Sequence, residues 1–230
     1  MKIVSKSVLF AVLATVILTA CGGGGSSGAN GQGSPMQVDG SNFDSTALGG
    51  TLAALPLETL SAAEQITLTY MREEEKLAHD VYAKLDVLYA GNTRVFGNIA
   101  ISEATHTEAV RQLLVRYNLP DPAANLGAGL YMNPILQGLH AQLVNAGSVS
   151  LIDALKVGAT IEEIDMIDIN VALPNVDNQD IRLVYDNLLK GSRNHLRSFV
   201  KTLSTQGVTY VPQYMTLGDF NTIIGTPMER

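Results

Sequence analysis

The sequence predicts an all-α protein, a bundle of helices, on three observations. Apolar residues recur at steps of three and four along several long stretches. Leu68, Met71, Glu75, Ala78, Tyr82, Leu85 and Tyr89 mark one face, and Phe96, Ile99, Glu103, His106, Val110, Leu113 and Tyr117 mark the next. That spacing is the stripe of a helix facing a core. Helix-starting residues stand where such stretches begin: Ser61 with Glu64, Asn133 before Pro134, and Ser150. No stretch alternates apolar and polar residues over the length of a strand.

The N-terminus is read apart from the bundle. Lys2 and Lys6 precede an apolar run at 7–20. The run is too short for a membrane span and fits the core of a signal peptide, so residues 1–20 are expected to be a leader. Leu18-Thr19-Ala20-Cys21 resembles a bacterial lipobox. That resemblance implies cleavage before Cys21, lipidation of Cys21, and anchorage in the cell envelope. Cys21 is the only cysteine, which excludes an intrachain disulfide and a cysteine metal site. Residues 21–59 are rich in Gly and Ser and are expected to be a flexible tether. Residues 60–230 are of ordinary single-domain size.

Within that domain each helix has its own start and stop. The Ser61/Glu64 capping box opens a helix over 62–89, closed by Gly91-Asn92. The next spans 94–117 and stops before Pro120. Asn133 caps a short extra helix that ends near Gly147. Ser150 caps a helix over 151–173, ended by Pro174. Asp177 or Asn178 starts the last long helix, which ends near Gly207. The segment 210–214 is expected to be extended, with a final short helix at 217–224.

The chain carries 15 Lys and Arg against 22 Asp and Glu. Loss of the leader removes two lysines and no acid. Such an acidic domain gives no footprint for nucleic acid or for an anionic membrane surface. Contact with a membrane is expected only through the lipid.

The informative residues are polar ones in apolar stripes. An unpaired buried carboxylate costs several kcal/mol, so it must be protonated, paired or bound to a metal. Glu103 and His106 stand at i and i+3, where a carboxylate can bridge two metals while the imidazole ligates one. Glu75 lies in the run Glu73-Glu74-Glu75. Such a run is ordinarily a solvated face, and the stripe selects Glu75. His79 lies off the stripe and is expected at the surface. The helix at 151–173 has two competing stripes. One carries Glu162 and Asp165, and Glu163 takes their place if the helix is rotated. His195 comes from the last long helix, with Ser192 three residues before it. Carboxylates and imidazoles converging from four helices are the usual way to build a two-metal site in a bundle. The expected ligands are Glu75, Glu103, His106, Glu162, Asp165 and His195. Tyr82 and Tyr117 lie in the same stripes, as hydrogen-bond or electron donors or as packing.

Glu75-Lys-Leu-Ala78-His-Asp-Val-Tyr82 is similar to the first-helix motif of rubrerythrin-type proteins, and Glu103-Ala-Thr-His106 to the second. The strings Arg72-Glu-Glu-Glu-Lys-Leu-Ala, Ser102-Glu-Ala-Thr-His, Lys156-Val-Gly-Ala-Thr-Ile-Glu-Glu-Ile-Asp and Gly191-Ser-Arg-Asn-His-Leu-Arg resemble a bacterial and archaeal ferritin-like domain family of unknown function. The resemblance covers about 60–224. It implies a ferritin-like four-helix bundle with a short extra helix between its second and third long helices, and a di-iron centre. Ser192 departs from it, because a Glu ordinarily stands there.

Two functions follow as expectations. The first is a lipid-anchored metalloprotein with an iron or manganese pair, oxidising Fe(II) or reducing peroxide. Its ligand set suits Fe or Mn better than Cu(I) and admits zinc. The second is a non-catalytic envelope binding module with a metal-free polar core. The tether argues against a closed storage cage and leaves room for a homodimer.

Overall fold

A computed structural model describes residues 36–37 and 42–230 of the chain. The expected leader, Cys21 and the first part of the tether lie outside the described residues. The fold is helical: α1 is Ser45–Ala54, α2 Ala62–Tyr89, α3 Val95–Arg116, α4 Pro134–Gly147, α5 Leu151–Ala172, α6 Gln179–Thr205 and α7 Leu217–Ile224. Two short strands, β1 at Met36–Gln37 and β2 at Asn42–Phe43, pair antiparallel ahead of α1. No helix among the described residues is long and apolar enough to cross a membrane.

The predicted helix boundaries agree closely with these, because local chemistry sets them. Ser61 Oγ accepts from Glu64 N–H, and Ser61 N–H donates back to Glu64, completing the capping box of α2. Glu64 also accepts from the backbone of Asp177 and Asn178, which ties the start of α2 to the start of α6. Asn118, with φ of 53°, ends α3 in the left-handed conformation, and Leu119 N–H returns to Leu114 O.

The long helices pack as α2 on α3 and α5 on α6, with α3 meeting α6 and α2 meeting α5. The four enclose one core, which includes Leu68, Tyr82, Phe96, Leu155, Leu188 and Phe199. α4 lies against both α2 and α5. Both stripes of α5 are therefore buried, as its competing apolar faces suggested. At Gly158 an added Cβ would meet the Phe199 ring at 2.5 Å, so α5 and α6 approach closely there.

Two expectations are corrected. Residues 45–54, placed in the tether, form α1. Asp44 caps it, and Leu48 and Leu52 bury one edge while α1 packs on α3. A helix of this length with two glycines is marginal alone, so composition conceals it and docking creates it. The run Glu73-Glu74-Glu75, expected as a mainly solvated face, is buried throughout. α2 is covered by α3, α4 and α5, so little of its circumference meets solvent.

The loop between α3 and α4 is fastened to α2 by one carboxylate. Asp80 accepts from Gly129 N–H, Tyr131 O–H and Lys76 Nζ. Burial opposes its charge, but the bonds from His79, Lys76, Gly129 and Tyr131 outweigh it and hold the carboxyl well below its ordinary value of 3.8. The stability this adds is complete above that value and is lost as pH falls toward the folded-state value. Asp80→Asn is expected to cost about 1–3 kcal/mol near neutrality. In urea titrations the gap to wild type should hold at neutral pH and narrow below about pH 4; a gap independent of pH would refute this assignment.

Candidate metal centre

Glu75 on α2, Glu103 and His106 on α3, Glu162 on α5 and His195 on α6 converge inside the four long helices. All five are at least 97% buried. Glu103 is their centre. Its Oε1 lies 2.8 Å from His195 Nδ1 and its Oε2 lies 2.8 Å from His106 Nδ1. Glu75 Oε2 approaches His106 Nδ1 at 3.3 Å, and Glu162 Oε2 approaches His195 Nδ1 at 3.4 Å. The two imidazole rings are nearly parallel, with centroids 5.4 Å apart. The result is two three-residue groups, Glu75/Glu103/His106 and Glu103/Glu162/His195, each able to direct one ligand atom at a common point.

Surrounding groups orient these side chains. Tyr82 O–H donates to Glu162 Oε1 at 2.6 Å and reaches the Gly158 carbonyl at 3.2 Å. His195 Nε2 is 2.9 Å from Ser102 Oγ, which leaves Nδ1 directed at the carboxylates. The Phe43 ring stands edge-on to His106, and Phe43 N–H donates to Thr105 Oγ1. The strand ahead of α1 thus covers this side of α3. Ser102 and Phe43 were not foreseen. A serine beside Glu103 carries no pattern of its own, and Phe43 stands in the Gly-rich segment.

The electrostatics follow from the geometry. Burial raises Glu75, and with the Glu103 charge it outweighs the bond from His106, so the carboxyl is pushed up to about 7. Burial also works against charge on Glu103, but the two imidazoles overcome it and hold this carboxyl low. Burial would lower His195, yet Glu103 and Glu162 raise it to about 9. His106 is likewise raised well above its ordinary value against burial, chiefly by Glu103. The carboxylates around both rings therefore favour their protonated form when no metal competes.

The remaining expected residues separate. Asp165 is buried beside the centre but belongs to neither group. Glu163, the alternative to Glu162, points the other way. It accepts from Tyr210 O–H and from the backbone N–H groups of Gln213, Tyr214 and Met215, pinning the C-terminal segment to α5. Ser192 donates to the Leu188 carbonyl of its own helix and is occupied there. His79 is partly exposed beside Asp80, as its position off the stripe indicated. Tyr117 bonds Asp180 at the start of α6 and has no part in the centre.

A family model described as "Uncharacterized protein domain (DUF2202)" matches residues 64–227. The chain belongs to this family. Every candidate ligand lies within the DUF2202 span. The chain is also 46% identical over 179 residues to the uncharacterized protein MJ0754 of Methanocaldococcus jannaschii, covering 78% of this chain and 96% of that one. The crystal structure of the hypothetical protein MJ0754 from Methanococcus jannaschii DSM 2661 matches with a TM-score of 0.74, over 76% of this chain and 99% of that chain.

Glu103→Gln removes the charge that both imidazoles of this DUF2202 domain face. In metal-free protein it should lower the unfolding free energy by about 3–5 kcal/mol. Urea denaturation at neutral pH measures it; a loss under about 1 kcal/mol would mean that the imidazoles pair elsewhere.

Proposed function

We propose that this chain is a ferritin-like metalloprotein, held in the cell envelope through a lipid on Cys21, whose four long helices carry a carboxylate/histidine centre for two metal ions. The observation that supports this most is the position of Glu103, with one oxygen toward each imidazole nitrogen and Glu75 and Glu162 completing the two groups. A carboxylate so placed is fitted to bridge two ions. The donor atoms fit such ions. Glu103 Oε2, Glu162 Oε2 and His195 Nδ1 are buried and meet no hydrogen-bond partner of good geometry. Carboxylate oxygens with two imidazoles suit iron or manganese and also admit zinc.

The charges support the same reading. Glu75, Glu103, Glu162 and Asp165 bring four carboxylates into one buried volume, and two divalent ions would balance them. Asp165 thus supplies the negative charge that the usual Glu at position 192 would have supplied. Ions of iron or manganese held there would supply one-electron chemistry, so the activity proposed is oxidation of Fe(II) coupled to reduction of oxygen or peroxide. The protein's part is to hold Glu162 through Tyr82, to set the His195 ring through Ser102, and to cover His106 with the Phe43 ring.

Metal analysis of the purified protein tests the reading. About two Fe or Mn per chain are expected, and Glu103→Ala/His106→Ala should lose both. Chelation should lower Tm, since a ligand at a hundred times its Kd contributes about 2.7 kcal/mol. No metal after reconstitution with Fe(II), Mn(II) and Zn(II) would overturn the reading and leave a binding module with a metal-free polar core.

The geometry also predicts proton release. Each incoming ion displaces the proton on one imidazole, so Mn(II) titrated near neutrality should release about two protons per chain. Affinity should rise with pH until the imidazoles are neutral. Absence of acidification in an indicator titration would contradict a site on these two nitrogens.

A further inference from the structure

All five candidate ligands are buried, so an ion reaches them only if some part of the fold moves. Parting the long helices would break the cluster that joins them, and a packed core opens at close to the cost of global unfolding. One element that covers the centre is not a long helix. The Phe43 ring stands edge-on to the His106 ring, with centroids 5.7 Å apart, and is itself 5% exposed.

Phe43 belongs to the segment 42–55, which lies along α3. Phe43 N–H donates to Thr105 Oγ1 at 3.0 Å, and Leu48 and Leu52 are buried. Gln112 Nε2 donates to Ser45 O at 3.0 Å, and Arg116 Nη2 donates to Leu55 O at 2.7 Å. β2 and α1 pack chiefly on α3, whereas each long helix meets at least two others. α1 also contains Gly49 and Gly50, which weaken a helix that is already short. Residues 56–61 form no regular structure ahead of α2, which gives the segment a hinge. Of the elements around the centre, this one separates at the least cost.

The segment gives cover and no ligand. Neither group of candidate ligands draws a residue from it. It also precedes the DUF2202 span, which begins at residue 64 and holds every candidate ligand. Lifting it would uncover His106 without dismantling either group.

We infer that residues 42–55 form a detachable cap on the metal centre, with Phe43 as its latch over His106, and that ions enter and leave beneath it. The inference rests on the di-metal reading above. A cap that supplies no ligand atom opens alike in the empty and the loaded protein. Loosening it raises the rates of entry and exit by one factor and leaves the affinity unaltered. A residue that shapes the ligands alters the affinity instead.

Mn(II) kinetics on the full chain test this, with Leu48→Ala/Leu52→Ala as the variant that loosens the cap away from any ligand. Uptake is followed as loss of the free-ion EPR signal, and release by capture in EDTA. The variant should keep about two tight ions per chain at an unchanged Kd, which also shows that it is folded, and should take up and release them at least about tenfold faster. Phe43→Ala should hasten release as well. Unchanged rates in the double variant, or a weaker Kd with unchanged uptake, overturn the cap. Backbone hydrogen exchange of wild type separates the cap from the metal reading. The amides of Phe43 and of Leu48 to Leu52 should exchange at least about tenfold faster than those of mid-α3, with or without Mn(II). Exchange of the two sets together overturns the cap even where the ions bind. A wild type without tight ions overturns the centre, and with it the passage of ions beneath the cap.

Discussion

Burying a carboxylate without a partner costs more than most single contacts return, and this domain buries eleven acids. The structure depends on how that cost is met. At Glu103 it is met by two imidazoles at once, one from α3 and one from α6. Because α2 and α5 bring Glu75 and Glu162 to the same two rings, one polar cluster connects all four long helices. A shift of any helix by one turn would leave several charges unpaired, so the cluster sets the register of the core as well as the chemistry of the site.

Elsewhere the same constraint fastens irregular chain to regular helices. Glu73 accepts the N–H groups of Met132 and Asn133, which places the start of α4. Asp80 gathers the loop that precedes it. Glu163 gathers the C-terminal segment with three backbone N–H groups and a tyrosine. Charge-assisted bonds of this kind are the stronger sort, and each closes a loop that apolar contact alone would leave loose. The acids that build the centre and those that hold the scaffold are therefore the same residue types one or two positions apart, as Glu73 and Glu75 and Glu162 and Glu163 show.

Ser192 takes no part in the cluster. Its hydroxyl bonds back to Leu188, so α6 offers only His195. On the neighbouring helix Asp165 lies one turn beyond Glu162 and is buried. Tyr82, Phe96 and Phe199 form an aromatic cluster, and the close approach of Phe199 to α5 is open only because residue 158 has no side chain.

The sequence by itself determined the helices and most of the centre. Caps such as Ser61, Asn133 and Ser150 act within one turn, so helix starts were legible in a few residues. Glu75, Glu103, His106 and His195 were legible because each interrupts an apolar stripe whose period is local. Tertiary structure alone decided the rest. It decided that Glu162 rather than Glu163 faces the centre, since both faces of α5 are buried and periodicity does not distinguish two buried faces. It buried all of Glu73 to Glu75, because three neighbours surround α2. It made a helix of 45–54, because that segment gains its stability only against α3. It also brought α2, α3, α5 and α6 around one cluster, since which helices face one another is settled by packing and not by the order of residues within any one of them.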